Sequence, residues 1–125
     1  MALGLPLGQR VSRLDRLRLA DGVPMAIERA TIPETFLPDP GLVGTSLYAV
    51  LEARGVRPVR ALQRLAAANL AETEADLLAV PVGAAALRIE RLAYLADGRV
   101  VEFTKSFYRG DAYDFVAELT LGPDA

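Results

Sequence analysis

The chain has no cysteine, no histidine and no tryptophan, and its 14 basic residues include a single lysine, Lys105. Each absence removes a class of chemistry. Without cysteine there is no disulfide framework and no thiolate metal site, and nothing calls for an oxidising compartment. Without histidine the commonest general base near neutral pH is gone, and Ser-His-Asp and Cys-His arrangements are impossible. Any metal site would have to be built from carboxylates, and none cluster with ligand spacing. No GxxxxGK[ST] phosphate loop occurs. No apolar run reaches 18 residues, so a membrane-spanning helix is not expected, and the short apolar start lacks the charged flank and long core of a signal peptide. The simplest placement is cytoplasmic. These absences argue against an enzyme, although Glu, Lys and Tyr could still act.

What is present is apolar: 52% of the 125 residues are hydrophobic and 24% are charged, with a net charge of -2. That supports one globular domain, which at this length buries roughly two-thirds of its unfolded surface. A DNA-binding domain normally carries a basic patch and a basic pI, whereas this chain is acidic, with a pI of about 5.1.

The chain repeats itself. Residues 3–19 read LGLPLGQRVSRLDRLRL and residues 78–94 read LAVPVGAAALRIERLAY. Pro6 matches Pro81, Gly8 matches Gly83, Arg13 matches Arg88, Asp15 matches Glu90 and Arg16 matches Arg91. Each copy then runs into Ala-Asp-Gly, at 20–22 and at 96–98, with one extra residue in the second. Asp-Gly between two strand-like runs signals a hairpin, because both positions tolerate positive φ. Hairpins are therefore predicted from 10–19 with 23–32, and from 84–95 with 99–108. Leu14 and Leu17 interrupt the alternation of the first strand and admit a bulge.

Between the copies, three prolines make 33–44 a loop. Residues 45–54 read as a helix, with Leu47, Val50 and Leu51 on one face, Thr45 or Ser46 as N-cap and Gly55 as its stop. A strand follows over 58–70, weakened by the run of alanines at 66–68. A short helix over 73–79 starts at Thr73 with Asp76 in a capping-box relation. A last strand is expected over 113–121. The sum is an α+β domain: a single antiparallel sheet with two short packed helices.

The polar residues of interest lie on these elements. Arg16 and Arg18 are two apart on a strand and so share a face; adjacent guanidiniums favour an anionic partner, or form a solvated face with Asp15 and Glu28. Ser46 and Tyr48 stand at a helix start, where free N–H groups suit an anion, or serve as an ordinary cap and a packed ring. Glu28 and Glu102 lie on the second strand of each hairpin. The repeat aligns Glu28 with Thr104, which has the same facing as Glu102. The two carboxylates could take ligand hydroxyls or merely face solvent. Tyr108-Arg109-Gly110-Asp111 is compact, with Gly and Asp both turn-forming.

Four segments, RLRLADGVPMAIE at 16–28, GTSLYAVLEARG at 44–55, LRIERLAYLADG at 87–98 and VEFTKSFYRGDAYDF at 101–115, together resemble the effector-binding UTRA domain of the HutC subfamily of GntR-type transcription regulators. The resemblance covers nearly the whole chain in order. It implies a fold similar to chorismate lyase, a buried pocket between sheet and loops, no cofactor, and a small anionic ligand such as a sugar phosphate or an organic acid. It assigns the anion to Arg16 and Arg18, further contacts to Ser46 and Tyr48, the sugar-facing carboxylates to Glu28 and Glu102, and another contact to Tyr108. It also implies a homodimer and DNA binding only through a winged helix-turn-helix domain that this sequence does not contain. Residues 1–125 are expected to form one effector-binding domain lacking the family's first strand and most of its first helix. A chorismate-lyase-like enzyme and a dimerisation module with a vestigial pocket are the competing expectations.

Overall fold

A computed structural model describes residues 9–44 and 46–111. Eight elements follow one another in these residues: β1 (Val11–Ala20), β2 (Val23–Pro33), a short 3-10 helix (Pro40–Leu42), α1 (Leu47–Ala53), β3 (Arg60–Asn69), α2 (Glu72–Leu77), β4 (Ala85–Tyr94) and β5 (Val100–Arg109). The five strands form one antiparallel sheet in the order β1-β2-β5-β4-β3. The expected α+β class and the two hairpins are thus observed, and the strand expected over 113–121 lies outside the described residues. No helix among the described residues is long and apolar enough to cross a membrane.

The two hairpins close differently. Asp21 and Gly22 both take positive φ, 51° and 77°, the two-residue turn whose twist matches that of its strands. In the second copy only Gly98 does, at 89°. Its amide donates to the Leu95 carbonyl at 2.9 Å, and the Leu95 amide donates to Arg99 at 2.8 Å. The extra residue of the second copy is therefore taken up as a three-residue loop ending in a left-handed glycine.

The repeats pair through their second strands, and the register makes them equivalent. Arg29 faces Lys105, which is its own repeat mate. On either side, Arg16 faces Glu28 as Arg91 faces Thr104, and Glu28 faces Ser106 as Thr104 faces Ala30. A local two-fold axis thus passes through the Arg29–Lys105 pair. Around it runs a row, Asp15–Arg29–Lys105–Glu90, on one face of the sheet.

The helices cover opposite faces. α1 sets Leu47 and Leu51 on Ala30, Ile32 and Ala93, with Phe36 and Leu37 from the loop. α2 sets Ala75 on Ile27, Leu70 and Ala86 from the other side, joined by Leu78, its C-cap. Period-two alternation produces this division, since Ile27 and Ala30 point to opposite faces.

Three details differ from the sequence reading. No bulge separates Leu14 from Leu17: Leu14 packs against the α1 core and Leu17 faces the opposite side, exposed. The register shifts instead between Arg18 and Leu19. The Thr73–Asp76 capping box does not form. α2 begins one residue earlier, with Ala71 at its N-cap and no side-chain bond there. Leu70, buried and bonded through both its amide and its carbonyl to the 83–84 turn, fixes where the chain leaves β3, and Glu72 and Glu74 suit the first turn electrostatically. The alanines of 66–68 do not stop β3, because it is an edge strand paired along its length with β4 and mostly exposed. Strand preference there is set by pairing more than by the side chain.

Gly110 closes the framework. A Cβ at that position would stand 2.8 Å from the Ala85 carbonyl oxygen, which also accepts the Gly110 amide at 2.9 Å. Replacing Leu51 by alanine, at a fully buried site, is expected to cost about 2–5 kcal/mol, whereas Leu42→Ala, on the surface, should stay within about 0.5 kcal/mol. Urea unfolding with unchanged slopes would check both.

Candidate functional site: a cavity walled by arginines

A cavity of about 370 Å³ opens on the α1 face of the sheet, where α1 stops short of covering it. The rows of the sheet explain its lining. Arg16, Glu28, Ser106 and Ile89 form one row across β1, β2, β5 and β4, and Leu14, Ala30, Thr104 and Arg91 form the next. The small Ser106 side chain leaves space that a larger one would fill.

On the β1 side, one carboxylate serves two guanidiniums. Arg18 Nε donates to Glu28 Oε1 at 2.8 Å and Arg16 Nη2 donates to Glu28 Oε2 at 3.2 Å. The Tyr108 hydroxyl also points at Glu28 Oε1, from 3.5 Å. Glu28 is itself buried, and this trio carries one net positive charge on the cavity wall.

On the β4 side, Glu102 has no exposed surface. Its Oε1 accepts from the Tyr48 hydroxyl at 2.7 Å, and its Oε2 accepts from Arg91 Nη2 at 3.1 Å and from the Thr104 hydroxyl. The Arg91 guanidinium lies 5.6 Å from the centre of the Tyr48 ring. Burial, then the Glu102 charge and hydrogen bond, push the Tyr48 phenol up to about 12. Burial pulls the Arg91 guanidinium down, but Glu102 outweighs it and the net shift is upward. Tyr48 therefore stays a neutral donor and Arg91 a cation.

Ser46 caps α1, its hydroxyl accepting from the Ala49 amide at 3.2 Å, and it stands at the cavity mouth beside Tyr48. Among the described residues, Arg16 Nε and Arg91 Nε are the two buried side-chain atoms with no hydrogen-bond partner. Leaving a buried donor unpaired costs about 1–3 kcal/mol.

Six of the seven residues singled out in the sequence, Arg16, Arg18, Glu28, Ser46, Tyr48 and Tyr108, line this one cavity. The seventh, Glu102, lies behind the wall with both oxygens occupied. Neither carboxylate faces open solvent. Arg91, Thr104, Ser106 and Gln63 also line the cavity and were not singled out. Arg91 and Thr104 had a signal, as the repeat mates of Arg16 and Glu28. Ser106 and Gln63 had none beyond alternation. In the Tyr-Arg-Gly-Asp turn, Arg109 binds Asp111 at 2.8 and 3.0 Å and the Pro24 carbonyl at 3.2 Å. That turn anchors the end of β5, from which Tyr108 reaches the cavity.

Comparison with known proteins agrees with this architecture. The UTRA domain profile matches residues 1–114. The chain is 36% identical over 117 residues to the HTH-type transcriptional repressor NagR of Bacillus subtilis, and 32% identical over 120 residues to the HTH-type transcriptional repressor PhnF of Mycolicibacterium smegmatis. These alignments take in 91% and 92% of the chain and 48% of each relative, so the chain spans about half the length of the curated relatives it matches. The crystal structure of the effector domain of PhnF from Mycobacterium smegmatis superposes with a TM-score of 0.89 at 29% identity, covering 95% of this chain and 75% of that one. A GntR-family regulator from Enterococcus faecalis superposes with a TM-score of 0.87 at 28% identity, covering 94% and 86%. The chain belongs to the UTRA family, the effector-binding domain of GntR-type transcription regulators.

The Tyr48 phenol offers a direct check. Its proton is held more tightly in the folded than in the unfolded chain, so its contribution to stability is complete below pH 10 and is lost as pH rises towards about 12. Alkaline titration followed by ultraviolet absorbance should show a late-ionising component that is lost in Tyr48→Phe. In Glu102→Gln it should ionise earlier.

Proposed function

We propose that this domain senses a small anionic metabolite and passes its presence to an attached winged helix-turn-helix domain. The observation that carries this reading is the pair Arg16 and Arg18 sharing the single carboxylate of Glu28 on a cavity wall. An anion entering there meets a fixed, partly desolvated positive charge with donors already oriented, the setting in which charge-assisted hydrogen bonds are strongest. A phosphate or carboxylate head contacts Arg16, Arg18 and the Ser46 hydroxyl. Tyr48, Glu28 and Tyr108 surround the rest of the molecule, and Glu102 acts from behind the wall.

The reading is of a sensor and not a catalyst. Among the described residues both buried carboxylates already accept from arginine and hydroxyl donors, which suits them to orient a ligand more than to move its protons. The family resemblance adds the rest: residues 1–125 as an effector-binding unit, a homodimeric regulator in the cytoplasm, and DNA contacts made by the attached domain. Signalling then follows from differential affinity. The ligand stabilises one arrangement of the regulator and shifts the population of DNA-binding states accordingly.

Thermal unfolding against a panel of sugar phosphates and small organic acids tests the reading. A true ligand at about 100 times its Kd adds roughly 2.7 kcal/mol, raising Tm by several degrees, and is recovered chemically unchanged. Arg16→Ala should abolish the rise relative to its own ligand-free midpoint. A rise of equal size in Arg16→Ala, or conversion of the compound, would sink the proposal.

A further inference from the structure

On the face opposite the cavity, α2 leaves an apolar strip uncovered. A groove of about 550 Å³ runs along the outer side of α2, lined by Ala75, Leu77, Val80 and Val82 with Glu72 and Asp76 at its rim. A second groove, of about 220 Å³, lies between α2 and β1 and has Leu17, Ile27 and Leu77 in its wall. Leu77 lines both, so the two grooves adjoin. Leu17 and Leu77 are each 45% exposed, and Val82 is 67% exposed. Scattered apolar side chains on a surface are ordinary, whereas a run of them along joined grooves marks a contact surface.

Charge says what kind of partner fits. α2 reads Glu-Thr-Glu-Ala-Asp-Leu, with three carboxylates and no basic residue. Arg29 engages Glu74 at 3.2 Å, while Glu72 and Asp76 stand exposed at the rim of the larger groove. Among the described residues no basic side chain lines that groove. Asp76 also sits in the last turn of α2, where the helix dipole disfavours a carboxylate. The fitting partner is basic and carries an apolar patch. Its place is also tied to the cavity: Leu17 lies between Arg16 and Arg18, so β1 walls the cavity with one face and lines this strip with the other.

We propose that this strip is the docking surface of the regulator's own DNA-binding domain, and that the docked domain is off DNA. The proposal rests on the reading above, in which such a domain is attached. A DNA-binding domain is basic where it meets phosphates, and its tether holds it near the strip at high effective concentration. Its cations cannot pair with Glu72 and Asp76 and with DNA phosphates at once. Docking and operator binding therefore exclude each other.

The lack of cysteine makes a labelling test direct. Leu77→Cys puts one thiol in the strip, and Leu42→Cys puts one in the exposed 3-10 helix outside it. Maleimide labelling of each is followed by mass spectrometry, in the 125-residue chain and in the full-length regulator. Both thiols should react readily in the isolated chain. In the full-length regulator Leu77→Cys should react about tenfold more slowly, as for a docked state about nine-tenths populated, while Leu42→Cys keeps its rate. Operator DNA should restore the rate at Leu77→Cys, and so should added salt. Asp76→Lys, which suits the helix dipole and so leaves α2 folded, should abolish the slowing and tighten operator binding by about the same tenfold factor. Equal rates in the two proteins, or slowing that operator DNA does not relieve, would overturn the proposal. Slow labelling of Leu77→Cys already in the isolated chain overturns it too, because a second copy or the chain's own ends would then be the occupant. No ligand enters the readout, so a failed ligand panel and a failed docking test are told apart.

Discussion

The pairing of β2 with β5 is the constraint on which the rest of this structure depends. These two strands are the second members of the two repeated hairpins, and their antiparallel register centres on Arg29 and Lys105. Fixing that one pair places everything else. A slip by one residue there would turn one hairpin over relative to the other. Arg16 and Glu28 would then lie on the face opposite Thr104 and Arg91, and the two halves of the cavity wall would part. The register is held because both faces are specified: Ala30 and Ile32 must meet α1, while Ile27 must meet α2.

Most of this frame could be read directly from residue order. Asp-Gly at two places announced two hairpins, and period-two alternation put Arg16 with Arg18 and Glu28 with Glu102 on common faces. The cap was recognisable as Thr45 or Ser46 because hydroxyls preceded an apolar periodic run, and the structure gives it to Ser46. Three things resisted. The start of α2 was set by Leu70 and its bonds to a distant turn, so the local Thr73 signal lost to a tertiary one. Burial of Glu28 and Glu102 could not be read from alternation, which gives the face of a residue but not what covers it. The place of Arg91 was open to inference from the repeat, but only a register across four strands shows that the two mates look into the same space.

The repeat also explains why a sheet face carries so many charges without being an ordinary solvated surface. Two carboxylates and three guanidiniums are gathered where α1 leaves the sheet uncovered, and each carboxylate is braced from more than one strand or helix. Buried charges of this kind are stable only when paired and hydrogen-bonded. The pairing holds the wall rigid: Glu28 ties β1 to β2, and Glu102 ties β5 to β4 and to α1. Donors whose positions are already set lower the ordering cost of binding for the anion proposed above.

The cations of this wall are all guanidiniums, in a chain that has no histidine anywhere. A guanidinium keeps its charge at every pH a living cell meets, and the Tyr48 phenol beside it is held neutral well beyond that range. These guanidiniums and the Tyr48 phenol keep their protons when a cell acidifies or turns alkaline. On the function proposed above, binding at this wall is insulated from cellular acidity at these groups.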